Sequence, residues 1–166
     1  GYAINAIIGK ESVMNCTEKT FISSTFWTER IGPTAALATL ELMQKKKSWK
    51  IITKTGKKMQ DGWSSISSKY NLEINIMGIP AMTTYNFNSK DSLKYKTFIT
   101  QEMLKKGFLA STVFYACTEH KDIHLEKYFN VLDDIFHKIS KCESQKLNID
   151  DLLDGPVCHS GFKRLN

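Results

Sequence analysis

Hydroxyl side chains cluster in one short segment of the chain, directly before a helix start. Ser23, Ser24, Thr25 and Thr28 lie within the stretch SSTFWTERIGPTAA, and Arg30 follows them. Hydroxyl groups form hydrogen bonds at helix N-termini, where the free N–H groups and the helix dipole also favour negative charge. The segment therefore predicts either a helix cap or one wall of an anion site, in which the Arg30 guanidinium can bind an anionic oxygen.

A Gly32-Pro33 step marks the helix that would position this segment. Proline is tolerated in the first helical turn, where its missing N–H costs nothing. Apolar residues then recur at spacings of three and four through residues 34–44, and they predict a packed helix: Ala36, Leu37, Leu40 and Met43. Upstream, the apolar run over residues 3–8 ends at Gly9 and predicts a short buried strand.

In the remainder of the chain, the apolar residues recur first with the period of a helix and then with the period of a strand. An apolar stripe over residues 49–70 predicts a long helix, although Gly56 and Gly62 weaken the expectation that it is continuous. From Leu72 the period is two, and Gly78 and Pro80 interrupt it, which predicts a strand, a kink and a second strand segment.

Further elements follow up to a C-terminal tail. We expect a helix over residues 89–106, a strand over 108–117, a second amphipathic helix over 122–140 and a tail from about residue 143. This order predicts an α/β or α+β unit. The sequence KKKS marks a domain boundary near residues 46–48. Residues 1–46 are too few to bury a core alone, so they are predicted to be the end of a larger domain. Residues 47–166 are predicted to form a smaller C-terminal domain.

Charge and composition set limits on the function. The chain has 166 residues and a net charge of +6, and seven lysines lie within residues 45–58. Such a cluster suits a basic module that binds nucleic acid or another acidic partner. A solvated helix face is the favoured interpretation, because the lysines of residues 50–58 lie off the apolar stripe and the aromatic segments 21–29 and 108–117 are nearly free of lysine.

Cell location is inferred from the cysteines and the apolar runs. Four cysteines lie tens of residues apart without a CxxC pair, and we interpret them as free thiols of a reducing, cytoplasmic compartment. The apolar runs are far shorter than the roughly 20 residues that span a bilayer. The chain begins without an initiating Met, from which we expect a fragment of a longer protein.

Three histidines suggest a metal site, with Glu119 and Asp122 nearby: His120, His124 and His137. His120 and His124 are four residues apart, but His120 is predicted to precede the helix, and no third ligand follows at a coordinating spacing. Loop or capping roles are therefore expected for these histidines, and no metal. The chain has no GxSxG elbow and no Gly-rich phosphate loop.

Several segments together resemble a known family. GYAINAIIGK, FISSTFWTERIGPTAALATLE and MLKKGFLASTVFYACTEHKDIHLEKYFNVLDDIFHKI resemble, in order and spacing, the C-terminal portion of class III, pyridoxal-phosphate-dependent aminotransferases. Within that family the resemblance is to the branch that includes glutamate-1-semialdehyde aminomutase. It implies the C-terminal part of a fold-type I transferase: the end of the large domain and the small α/β domain.

This resemblance also implies roles for individual residues. The Schiff-base lysine of the family would lie about five positions before Gly1, so we assign no catalytic residue to this chain. In the family, a threonine five residues before a proline binds the cofactor phosphate of the neighbouring subunit, and Thr28 stands five residues before Pro33. The resemblance leaves Thr25 as a second candidate for this threonine, and it implies that Trp27 donates its backbone N–H to the phosphate. The family's loop glycine is replaced by Ile31, a departure from the common pattern.

The activity implied is amino-group transfer with pyridoxal 5'-phosphate (PLP), in a homodimer that binds small amine and carbonyl substrates and neither nucleic acid nor membrane. The 166-residue chain alone is expected to be inactive, because the lysine, the ring-stacking aromatic and the pyridinium partner would all lie upstream. A third interpretation is a scaffold that keeps the fold without the chemistry.

Overall fold

The computed structural model describes residues 2–22, 26 and 28–161. The chain divides into two units, of which the first is Gly1–Ser48. This unit contains helices α1 (Glu11–Met14) and α2 (Ile31–Lys46). A 3-10 turn, Asn15–Lys19, follows α1. Helix α2 starts at the predicted Gly-Pro step and ends at Lys46, because the next residue, Lys47, has a φ of 49° that breaks the helical path.

Two expectations for this unit are wrong. Residues 3–8 form no strand, and Ile7 and Ile8 are exposed. A strand needs a neighbour for its backbone hydrogen bonds, and no other strand lies in the described part of Gly1–Ser48. Helix α2 is not packed either, since Leu37 and Leu40 are exposed and Gly32 is its buried residue.

In the second unit, Trp49–Asn166, the stripe predicted over 49–70 forms one continuous helix, α3 (Ser48–Lys69). Its two glycines are sites of close approach. A Cβ on Gly56 would lie 1.7 Å from the Pro80 carbonyl oxygen, and one on Gly62 would lie 2.2 Å from the Phe129 ring. The glycines therefore let α3 contact its neighbours and do not interrupt it.

The sheet of this unit has three antiparallel strands in the order β1 (Ile74–Ile79), β2 (Met82–Phe87), β3 (Val113–Tyr115). The predicted kink is a tight hairpin, in which Ile79 pairs with Met82 across Pro80 and Ala81. Strand β3 is shorter than the predicted range of 108–117.

Helices α4 (Ser92–Lys105) and α5 (Asp122–Glu143) join α3 over one face of the sheet. Tyr85 and Phe87 project from this face and contact the rings of Trp63, Tyr95 and Phe136. The Trp63 indole N–H donates to the Tyr128 hydroxyl at 3.0 Å inside the core. The opposite face of the sheet carries exposed apolar side chains: Met77, Ile79, Met82, Val113 and Tyr115.

Part of the tail is ordered and packs on α4. A 3-10 turn, Ile149–Leu152, buries Ile149. The Gln101 side chain donates to the Leu152 carbonyl at 2.9 Å and accepts the Asp154 N–H at 2.7 Å. The carboxylate of Asp150 lies 2.7 Å from the Lys94 ammonium. These contacts order residues whose sequence shows no clear period.

Candidate functional site

Thr28 lies in the loop that leads into α2. Its side chain is exposed, and its φ of 48° is in the left-handed region, which β-branched residues rarely adopt. The structure gives its hydroxyl no hydrogen-bond partner among the described residues. Thr28 therefore combines an exposed hydroxyl with a strained backbone conformation. Thr25 and Trp27, the other two predicted residues, lie outside the described residues.

A residue that the sequence analysis missed occupies the start of α2. The Glu29 carboxylate accepts the backbone N–H groups of Ile31 and Gly32, the latter at 3.0 Å. A carboxylate here complements the helix dipole and satisfies two of the N–H groups that a helix leaves unpaired. An acidic residue just before a Gly-Pro helix start could have indicated this cap from sequence.

This cap limits the kind of anion site that the loop can form. The N–H groups of Ile31 and Gly32 are not free to bind a ligand, and the Glu29 carboxylate would repel a phosphate placed directly on the helix axis. The remaining donors in the described part of the loop are the Thr28 hydroxyl, the backbone N–H groups and the Arg30 guanidinium. An anion is therefore better placed on the loop than on the end of α2.

A small cavity of 240 Å³ lies beside the cap. It is lined by Tyr2, Ala3, Phe26, Glu29, Ile31 and Gly32. A larger groove of 990 Å³ includes Glu29 and Pro33 together with apolar side chains of residues 4, 7 and 22. Thr28 lines neither of them. The structure thus brings Glu29 together with the N-terminal segment and leaves Thr28 on the exposed side of the loop.

His120 lies just before α5, and His124 lies in the first turn of this helix. The Nδ1 atom of His120 accepts the Cys117 N–H at 3.1 Å, and the Nδ1 atom of His124 accepts the Lys121 N–H at 3.2 Å. Burial, with a smaller contribution from His124, lowers the pKa of His120 below its ordinary value of 6.5. Both rings have backbone capping roles. In the described residues no three His, Cys, Asp or Glu side chains lie close enough to hold a metal ion.

The lysines of residues 50–58 lie on the solvated side of α3. Lys58 pairs with Asp122 at 2.6 Å, and this hydrogen bond lowers the pKa of Asp122. Lys50, Lys54 and Lys57 are exposed and lie around Trp49 and Thr53. Such a row of charges keeps a helix soluble without a ligand. None of the helices in the described ranges has the length and apolar character needed to cross a membrane.

Comparisons with known proteins agree with the sequence resemblance. The chain is 27% identical over 128 residues to a 3-aminobutyryl-CoA aminotransferase of Cloacimonas acidaminovorans, covering 74% of this chain and 31% of the relative. It is 25% identical over 158 residues to a glutamate-1-semialdehyde 2,1-aminomutase of Methanosphaera stadtmanae, covering 85% and 37%. A 2'-deamino-2'-hydroxyneamine transaminase of Streptomyces kanamyceticus is 22% identical over 140 residues, 81% of this chain and 36% of the relative. No protein-family model matches.

The fold also agrees with the resemblance seen in the sequence. The FumI protein of Sphingopyxis sp. MTA144, solved in its PLP internal aldimine form, superposes with a TM-score of 0.71 over 88% of this chain and 36% of its own, at 16% identity. The chain therefore has the fold of part of this PLP-bound protein, and the predicted resemblance and fold class are confirmed. The chain spans about a third of the length of the curated relatives that it matches.

Proposed function

We propose that this chain is the C-terminal portion of a PLP-dependent class III aminotransferase or aminomutase, which transfers an amino group between an amine or amino acid donor and a carbonyl acceptor. One observation carries the proposal: sequence relatives named as aminotransferases or aminomutases and a PLP-bound structural neighbour all match this chain over a similar third of their length. The sequence relatives support the activity, and the structural neighbour supports the fold.

PLP, when bound, supplies an electron sink for the carbanion that amino-group transfer requires. The residues of this chain that would hold it are those of the loop before α2. The exposed Thr28 hydroxyl would donate to a phosphate oxygen of the cofactor, and we propose the Trp27 N–H and Thr25 as additional donors. Because the Glu29 carboxylate already accepts the N–H groups of Ile31 and Gly32, these loop residues, and not the first N–H groups of α2, would hold the phosphate.

The assembly and location proposed here follow the resemblance. Thr28 would bind the phosphate of the neighbouring subunit in a homodimer, small amine and carbonyl compounds would be the substrates, and the enzyme would be cytoplasmic, with neither nucleic acid nor membrane as a partner. The two units Gly1–Ser48 and Trp49–Asn166 correspond, in this proposal, to the end of the large domain (1–46) and the small domain (47–166).

Borohydride reduction followed by intact-mass measurement tests the proposal. Reduction makes a lysine-bound PLP permanent, so the longer natural protein should gain the mass of one cofactor on a lysine just upstream of Gly1. The 166-residue chain alone should show no site-specific adduct. A natural protein that gains no cofactor mass would contradict the function and favour the scaffold interpretation.

The role of Thr28 is tested in the same protein. Thr28→Ala should weaken PLP affinity by roughly 10- to 150-fold, as expected for one lost charge-assisted hydrogen bond of roughly 1.5–3 kcal/mol, and Thr28→Ser should restore it. Thr39→Ala is the matched control, because its hydroxyl bonds the Ala35 carbonyl within α2. Equal PLP affinity in the Thr28→Ala and Thr39→Ala variants would remove Thr28 from the phosphate site.

A further inference from the structure

A cavity of 450 Å³ lies beside strand β3 and the first turns of α5, within the unit Trp49–Asn166. Its lining includes the buried side chains of Met59 and Leu125 as well as the exposed Leu109 and Lys127. The cavity therefore reaches from the core of this unit to solvent. Its volume falls within the range of about 300–1,000 Å³ that is typical of small-molecule sites.

Half of the residues that line this cavity have aromatic side chains. Two pairs of them already contact each other: Phe108 lies edge-on to Tyr128 at 6.1 Å between ring centres, and Phe114 lies 4.8 Å from the His120 ring. Aromatic rings gain affinity from such edge-to-face and tilted contacts beyond the area that they bury. The walls therefore suit a guest that itself carries an aromatic ring.

The polar groups of the lining are hydrogen-bond donors. The Nδ1 atoms of His120 and His124 accept backbone N–H groups, so in each neutral ring the proton is on Nε2, which can donate. Burial lowers the pKa of His120 and keeps this ring neutral at pH 7. The Lys127 ammonium adds a positive charge, and none of the lining residues is acidic. These groups together suit a ligand group that only accepts hydrogen bonds and carries negative charge.

We propose that this cavity binds a small aromatic carboxylate. The ring of the ligand packs among the aromatic side chains, and its carboxylate binds the Lys127 ammonium and the histidine N–H groups. The inference is independent of the proposed function, because every lining residue belongs to Trp49–Asn166 and none belongs to the loop before α2.

The test is a titration of the 166-residue chain, without PLP, with 3-phenylpropionate, followed by amide chemical shifts in NMR. We expect a Kd of about 1 mM or lower for a ligand of this size, with shift changes centred on residues 108–110 and 120–128. Two matched probes separate the parts of the ligand: 3-phenylpropanol lacks the carboxylate, and hexanoate lacks the ring. Each should bind at least about fivefold more weakly. Equal affinity for 3-phenylpropionate and either matched probe would overturn the proposal, as would shift changes elsewhere.

Two lysine variants test the charged end of the ligand. Lys127→Gln should weaken the binding of 3-phenylpropionate about two- to fivefold, as expected for an exposed ion pair. Lys141→Gln is the matched control, since this lysine is also exposed on α5 but does not line the cavity, and it should leave the affinity unchanged. Equal affinity in the two variants would show that Lys127 does not bind the carboxylate.

A cavity-filling variant tests the location. Ala110→Phe places a ring in the cavity and should abolish binding, and its NMR spectrum shows whether the variant is folded. If it does not fold, the lysine pair and the matched probes still decide the proposal. A folded Ala110→Phe chain that binds as tightly as wild type would place the ligand elsewhere.

Two further titrations separate this proposal from the cofactor proposal. Thr28→Ala should leave the affinity for 3-phenylpropionate unchanged, because Thr28 does not line the cavity. A weaker affinity in that variant would place the ligand at the loop before α2. The longer natural protein should bind 3-phenylpropionate as tightly as the 166-residue chain does. Loss of binding there would mean that another part of the protein covers the cavity, and it would overturn the proposal.

Discussion

The Glu29 carboxylate accepts the backbone N–H of Gly32 at 3.0 Å, at the start of the helix that follows the Thr28 loop. A carboxylate thus occupies the position where the hydroxyl-rich sequence predicted either a hydroxyl cap or an anion. Glu29 therefore caps the helix, and the Thr28 hydroxyl is exposed beside it.

Removing this cap should loosen the first turn of α2. Glu29→Ala leaves the N–H groups of Ile31 and Gly32 without a protein acceptor, which should cost about 0.5–2 kcal/mol of helix stability. Amide exchange at these two residues, followed by NMR, should accelerate accordingly. The control is Glu41→Ala on the exposed side of α2, which should leave both rates unchanged. Equal rates in wild type and Glu29→Ala would show that the carboxylate does not cap the helix.

Acid should destabilise the second unit through His120. The pKa of this group is lowered in the folded chain, mainly by burial, so below pH 6.5 the unfolded chain binds more protons than the folded one. The contribution of His120 to the free energy of unfolding is therefore complete above pH 6.5, and it is lost as the pH falls toward the pKa of His120 in the folded chain. Protonated Nδ1 also cannot accept the Cys117 N–H. Urea unfolding from pH 7.5 to pH 5 should show this loss.

The matched variants for the pH experiment are His120→Asn and His159→Asn. His120→Asn should flatten the pH profile, whereas His159→Asn, at an exposed position, should preserve the wild-type slope. An unchanged slope in His120→Asn would assign the acid sensitivity to another group.

Two buried tyrosines should respond in opposite ways to loss of their hydroxyls. The Tyr85 hydroxyl is buried without a hydrogen-bond partner in the described structure, so Tyr85→Phe should leave stability unchanged or raise it. The Tyr128 hydroxyl accepts the Trp63 indole N–H, so Tyr128→Phe should cost about 1–3 kcal/mol by leaving that donor unsatisfied. Urea unfolding compares them directly, and a larger loss for Tyr85→Phe would show that its hydroxyl does have a partner.

Glycine at position 56 should be essential for packing. A Cβ there would meet the Pro80 carbonyl at 1.7 Å, so Gly56→Ala should destabilise the unit by about 1–3 kcal/mol although alanine favours helices by roughly 1 kcal/mol. Gly155→Ala is the control, since no atom lies within 4 Å of its Cβ position. Thermal unfolding of both variants tests the contact. A stabilised Gly56→Ala would show that α3 does not approach the hairpin this closely.

Much of the second unit was predictable because its signals are local. The apolar stripes of α3 and α5 run for six turns, and periodicity over that length predicts a helix whatever its neighbours are. The turn residues Gly78 and Pro80 marked the break between β1 and β2. The family resemblance, with its implied fold class, was also evident in the ordered segments of the sequence alone.

Tertiary structure decided what depends on distant partners. Residues 3–8 have the composition of a strand but form none, since a strand requires a second chain segment to complete its hydrogen bonds. Gly56 and Gly62 weaken a helix by propensity, yet they are the positions where Pro80 and Phe129 come closest. The ordered tail depends on Gln101, about fifty residues away in sequence. Local sequence sets the preference of each segment, and contacts between distant segments determine whether that preference is realised.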